Sequence, residues 1–169
     1  MSKHKQKLKT KQKVESKSKD FFEKTDKFFD KQGNVFFWIS LFFTILFSFL
    51  LFNLRVSEAG DDSAYILRAF ELVKEFKFPS FQGPLYPMLM SIFIWFFGLN
   101  ITLLKSLSLV SIIFHLYFFY KAFKGRVSGF LLIYVMIIIS FNAYVLYYSS
   151  QTYSEAFYLF LQAFFFFYF

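Results

Sequence analysis

Gly60–Pro87, GDDSAYILRAFELVKEFKFPSFQGPLYP, decides how the rest of the chain is read. It lies between long apolar runs, yet it carries Asp61, Asp62, Glu71 and Glu75, with Glu58 just before it. Outside it and the lysine-rich N-terminal segment the only acid is Glu155. A charge placed in hydrocarbon is costly unless it faces protein or a water-filled cavity. The acids therefore belong to a loop outside the bilayer, and the apolar runs to the scaffold that holds it. Within the loop, Asp61-Asp62-Ser63 supplies side chains suited to capping a helix. Tyr65, Ile66, Ala69, Phe70, Val73 and Phe76 then recur at helical spacing, with Arg68, Glu71, Lys74, Glu75 and Lys77 on the other face. That period suits a helix lying on a membrane surface. Pro79 and Gly83-Pro84 end it.

Aromatic residues make up 26% of the chain and charged residues only 18%, so apolar runs of membrane-spanning length dominate it. The class is an all-α integral membrane protein. With no cysteine, thiolate metal sites, disulfides and thiol nucleophiles are excluded. His4 and His115 are the only histidines, too few for a histidine-rich metal centre.

The net charge of +8 is localised, since residues 1–31 hold 11 lysines against 5 acids. Residues 1–32 read as a basic, disordered tail that stays cytoplasmic under the positive-inside rule and touches anionic lipid headgroups. No folded reader accompanies the lysines, so nucleic acid is not an expected partner. Residues 33–54 are charge-free but for their flanks and form the first span; their length argues against a cleaved signal peptide. Residues 55–101 make the outer loop. Inside it, residues 84–98 rise only about 22 Å, short of the roughly 30 Å hydrocarbon core, and read as a juxtamembrane or re-entrant helix. Residues 102–120 and 127–148 are the next two spans, joined by the basic turn Lys121–Arg126. This parity places that turn with the N-terminal tail and brings Glu155 to the side of Asp61 and Asp62. Residues 155–169 begin a fourth span that breaks off without a closing charge, as in the N-terminal part of a longer protein, and residues 1–169 by themselves are expected to be inactive.

Four residues are candidates for chemistry. Asp61 and Asp62 are either first-turn or capping carboxylates, or a base beside a membrane exit. Glu155 opens a helix and either meets its dipole or serves a site. Arg68 either is solvated or holds a phosphate bidentately. His115 reads as a packing residue, and Lys105 as a lysine that snorkels to the interface. Tyr147, Tyr148, Tyr153 and Tyr158 suit an interfacial aromatic belt.

A membrane helix followed by Asp61-Asp62-x-x-Tyr65, an amphipathic helix and Gly83-Pro84-Leu85-Tyr86-Pro87 resembles the GT-C superfamily of membrane glycosyltransferases. Within it the pattern is similar to the protein O-mannosyltransferase and aminoarabinose-transferase branch, over residues 33–169. The later order fits too: a basic turn, a further helix, then the polar run Tyr147–Glu155. The resemblance implies a bundle of about four spanning helices with outer-face amphipathic and juxtamembrane helices, in the inner (plasma) membrane. It implies a sugar donor linked to polyprenyl phosphate and a lipid, glycan or protein acceptor. One of Asp61 and Asp62 would be the base, with Asp61 favoured as the first acid of the motif. Glu155 would place the acceptor or a metal, Arg68 would approach the donor phosphate, and a divalent cation or a basic side chain would offset the leaving phosphate. The alternatives are a non-catalytic multi-pass subunit or scaffold, and a transporter or channel segment, which would carry polar groups at mid-membrane.

Overall fold

The computed structural model describes the backbone of residues 2–56, 60–80 and 83–169, with side chains from Asp20 onward. Glu58, the Ser57–Ala59 stretch, Phe81 and Gln82 lie outside the described residues, as do the lysine side chains before Asp20. Among the described residues seven helices follow in order: α1 (Ser2–Leu51), α2 (Asp61–Glu75), α3 (Leu85–Phe97), α4 (Ile101–Phe123), α5 (Gly129–Ser140), α6 (Ala143–Ser149) and α7 (Ser154–Tyr168). Among the described residues there is no strand, only the single bridge Lys124–Val127 beside the turn.

Two helical stretches, Asp20–Leu51 and Ile101–Phe123, are long and apolar enough to cross a membrane. The pair α5–α6, bent by 58°, makes a third if it is one span. The sequence reads 127–148 as one continuous helix; the structure breaks it at Asn142. The Asn142 side chain accepts from Tyr144 N at 2.9 Å and Val145 N at 3.2 Å, which caps a new helix in mid-run. An asparagine that bonds its neighbours' N–H groups offers the backbone an alternative to continuing the previous turn.

The basic tail also differs from expectation, because residues 2–32 continue α1 instead of forming disordered chain. Lys, Gln and Glu are good helix formers, and no glycine or proline interrupts them before Gly33. Lys24 and Asp20 pair at 2.8 Å one turn apart, a contact worth a few tenths of a kcal/mol.

Polarity along α1 is inverted relative to a water-soluble helix. Gly33, Phe37, Ser40, Leu41, Thr44 and Ser48 turn inward and are buried, whereas Trp38, Phe42, Phe49 and Leu50 face out. Between helices in lipid there is no hydrophobic drive, so small and hydroxylated residues that let backbones approach form the seam. The Thr44 hydroxyl donates to Ser40 O at 2.9 Å, and Ser48 Oγ meets Ser149 Oγ at 2.6 Å. Gly129 extends the same logic to α5. A Cβ there would fall 2.6 Å from the Asp30 backbone nitrogen. Phe37 stacks on Tyr120 of α4 at 4.8 Å, within a cluster completed by Leu41, Leu116, Leu132 and Met136.

The connections define two ends of the bundle. At one end Tyr120 Oη and Lys124 Nζ both donate to Asn34 Oδ1, at 3.0 and 2.9 Å, and Phe130 N donates to Asp26 Oδ1 at 3.0 Å. At the other end α1 exits beside the start of α4 and the α6–α7 turn. The α2–α3 pair leaves from this second end and α4 starts from it. Tyr65, Ile66 and Ala69 of α2 pack on Tyr86, Met90 and Ile94 of α3 and on Leu104 of α4. The apolar stripe of α2, which the sequence assigns to a membrane surface, is therefore largely covered by protein. Only its far end remains open: Phe76 is exposed, in the left-handed conformation that stops the helix.

Candidate functional site

The site is built where three connections converge: the exit of α1, the first turn of α2 and the turn between α6 and α7. Neither aspartate caps α2. Gly60 is the N-cap, and Asp61 and Asp62 occupy the first turn, where negative charge meets the positive end of the helix dipole. Asp62 is buried, and its Oδ1 accepts from Ser63 N at 2.8 Å. Its backbone carbonyl accepts from the Thr152 hydroxyl at 3.3 Å. Asp61, one residue earlier, points to the exposed side. Arg68 is half-buried two turns along α2, at the i+7 position from Asp61 and thus on the same face.

The α6–α7 turn brings Glu155 to the same end. Tyr65 Oη and Ser154 Oγ meet at 3.0 Å, tying α2 to the first residue of α7. Glu155 follows at the second position of α7, in its first turn. Its Oε2 is shielded and has no hydrogen-bond partner. Glu155 lines a cavity of about 380 Å³ with Gly83, Leu85, Tyr86, Ser154, Phe157, Tyr158 and Leu161, an apolar wall carrying one carboxylate. The hydroxyls of that wall are engaged elsewhere. Tyr86 Oη bonds Ser108 Oγ at 2.8 Å, Ser154 bonds Tyr65, and Tyr158 Oη accepts from Gln162 at 2.9 Å.

Two phenols report the electrostatics. Burial pushes Tyr86 up to about 12; its bond to Ser108 opposes this, and the charges of Tyr65 and Glu155 add to it. Tyr153 is raised, first by its hydrogen bond to Tyr147, then by burial and by the charges of Tyr147, Asp62 and Asp61. Both aspartates therefore act on a residue two positions before Glu155. The aromatic belt expected around Glu155 is partly this cluster, with Tyr147 and Tyr153 rings 5.7 Å apart.

Sequence reasoning missed Lys105. It does not snorkel: it is fully buried in the first turns of α4. Its ammonium donates to Asn53 O at 2.8 Å, to Arg55 O, and to Gln151 Oε1 at 2.9 Å. The signal was present in the sequence as a lone lysine inside an apolar segment and a polar run, Ser149-Ser150-Gln151-Thr152, that is buried throughout. His115, read as a packing residue, lies between α4 and α7 with Nδ1 2.9 Å from Leu159 O. Among the described residues no group of three or more His, Asp or Glu side chains is placed to hold a metal ion. Comparison with family models, with curated proteins and with solved structures finds no match for this chain.

Proposed function

We infer that this protein transfers a sugar from a polyprenyl-phosphate donor to an acceptor hydroxyl at the acid-bearing end of its membrane bundle. The observation that carries the reading is the shielded, unpartnered Oε2 of Glu155 in an apolar cavity wall, at the same end as Asp61 and Asp62. An apolar wall accommodates a lipid-borne substrate, and a carboxylate oxygen lacking a donor suits a hydroxyl that brings one. The bundle is read as about four-spanning, with α7 as the start of the fourth crossing, multi-pass in the inner membrane and with its N-terminus cytoplasmic.

Asp61 takes the part of general base, because it is exposed while Asp62 is buried against the turn. It accepts the proton of the acceptor hydroxyl as that oxygen attacks the anomeric carbon. The bond from this carbon to the phosphate oxygen breaks, its electron pair leaves with polyprenyl phosphate, and the anomeric configuration inverts. Glu155 orients the acceptor from the cavity that it lines. Arg68, on the face of Asp61, is the side chain of α2 suited to the leaving phosphate, with a divalent cation as the other means of offsetting its charge.

The full-length protein in proteoliposomes, given a panel of radiolabelled polyprenyl-phosphate sugars, tests this. Transfer is expected with at least one donor. Asp61→Asn should lower it by about 10²–10⁴, the range of a general base. No transfer from any donor by correctly inserted protein, or near-normal turnover in Asp61→Asn, defeats the reading.

A further inference from the structure

A buried ammonium group has three N–H donors and needs three acceptors. Lys105 finds them on two separate connections: Asn53 O and Arg55 O beyond α1, and Gln151 Oε1 in the α6–α7 turn. The first two oxygens lie on the segment leading to Asp61 and Asp62. The third lies four residues before Glu155. Asp62 is held at the same turn, because its backbone carbonyl accepts from Thr152, the neighbour of Gln151, and its charge acts on the ammonium. No other lysine or arginine is so completely buried among the described side chains. A charge taken out of water persists only where hydrogen bonds and opposite charge compensate it, and removing one partner leaves the other uncompensated.

We propose that Lys105 is the positioning residue of this site: it locks the exit of α1 to the turn that carries Glu155 and holds Asp62, and it is the counter-charge of Asp62. The proposal rests on the glycosyltransferase reading only for its consequence on turnover; the clamp itself is independent of the reaction. The other titratable groups around it are Asp61 and Tyr65 on α2, Tyr86 on α3, Tyr147 on α6, and Tyr153 and Glu155 about the start of α7. Two further basic side chains lie on these segments: Arg55, whose carbonyl Lys105 contacts, is exposed, and Arg68 on α2 is half-buried, so neither shares the burial of Lys105. Lys105 is not available to the donor phosphate. All three donors of Lys105 are committed to the protein.

The test uses dicyclohexylcarbodiimide, an apolar reagent that modifies protonated carboxyl groups, on the full-length protein in membranes at neutral pH. Mass spectrometry reads modification at Asp62. Removing an opposite charge shifts a neighbouring carboxyl by one unit or more, so Lys105→Met should raise Asp62 modification about tenfold. Lys105→Gln, which keeps hydrogen-bonding capacity without charge, should raise it similarly, and Lys105→Arg should stay near the native level. Gln151→Leu removes one bond of the clamp and keeps the charge. In a Ser154→Cys background it should increase thiol reactivity at residue 154 severalfold and leave Asp62 modification unchanged. If Lys105→Met does not accumulate, the Gln, Arg and Gln151→Leu variants carry the test. Unchanged Asp62 modification in either neutral variant, or unchanged reactivity at residue 154 in Gln151→Leu, overturns the proposal. Because neither readout needs turnover, failure here with transfer still dependent on Asp61 would leave the glycosyltransferase reading standing, and the converse holds.

Discussion

Asp61 and Asp62 are neighbours with opposite surroundings, one exposed and one buried, and their asparagine variants should part accordingly. Asparagine accepts the Ser63 N–H as aspartate does, so Asp62→Asn should keep that bond while stripping Lys105 of its nearby negative charge. Its cost should fall mainly on stability, seen as a lower unfolding temperature in detergent. Glu155→Gln should do the reverse. A shielded carboxylate oxygen without a partner is a destabilising feature. Neutralising it should leave the unfolding temperature unchanged or higher while transfer falls, by less than in Asp61→Asn. A drop in unfolding temperature in Glu155→Gln would mean that this oxygen is stabilised in place. Tyr86 gives a pH-dependent prediction. Its phenol is held up to about 12 by burial, against an ordinary value of 10.0. Above the unfolded value the unfolded chain loses this proton and the folded chain keeps it. Stability should therefore be untouched below about pH 10 and should fall between about 10 and 12. Tyr86→Phe should flatten that part of an alkaline unfolding profile. An unaltered profile would show that another group controls the transition.

Among the elements, the contact of α1 with α5 depends on one residue without a side chain. Gly129→Ala would push a Cβ to 2.6 Å from a backbone nitrogen of α1, which cannot rotate away. Overpacking of this kind costs about 1–3 kcal/mol, so the variant should unfold at lower temperature; an unchanged midpoint would show that α1 and α5 separate freely. The bend between α5 and α6 has a different origin. Asn142→Ala removes the acceptor of two N–H groups, a loss of about 1 kcal/mol. Amide exchange at Tyr144 and Val145 should accelerate, and protection equal to the native protein's would assign the bend to packing instead. The Lys77–Glu71 pair at 2.9 Å joins an exposed lysine of the following turn to a half-buried glutamate of α2. Pairs of that kind contribute little, and its removal should leave both stability and the site intact.

For the whole molecule, the basic turn between α4 and α5 and the acids of α2 lie at opposite ends of the bundle. The basic turn Lys121–Arg126 sits with Asn34 and Asp26, and the acids of α2 sit with Gln151 and Ser154. If α1 and α4 cross the membrane, these two ends face opposite sides. Cysteines at Glu75 and Lys121, both exposed, should then react with an impermeant thiol reagent from opposite faces of sealed vesicles. Reaction of both from one face would rule out that topology. This matters for the proposed transfer, which requires Asp61 and Glu155 to share an aqueous face.

The amino-acid sequence by itself determined the helical membrane class, since long uncharged runs leave no other way to satisfy the backbone in lipid. It pointed to a short helix within residues 84–98, and the structure gives them 13 helical residues. It identified the acid-rich stretch as distinct, because a charge between apolar segments is conspicuous one residue at a time. Only the tertiary structure decided which aspartate is buried, that α3 covers α2, and that Lys105 binds oxygens 52, 50 and 46 residues away in sequence. The single-residue signal for Lys105 was the cost of its charge, which snorkelling and burial with partners relieve equally well. The choice between them rests on whether carbonyl oxygens from distant connections arrive at its ammonium, and no local pattern records that. The break at Asn142 was hidden for a similar reason. A polar residue in an apolar run either points inward from a continuous helix or caps a new one, and packing of the flanking turns against α1 and α4 selects the cap.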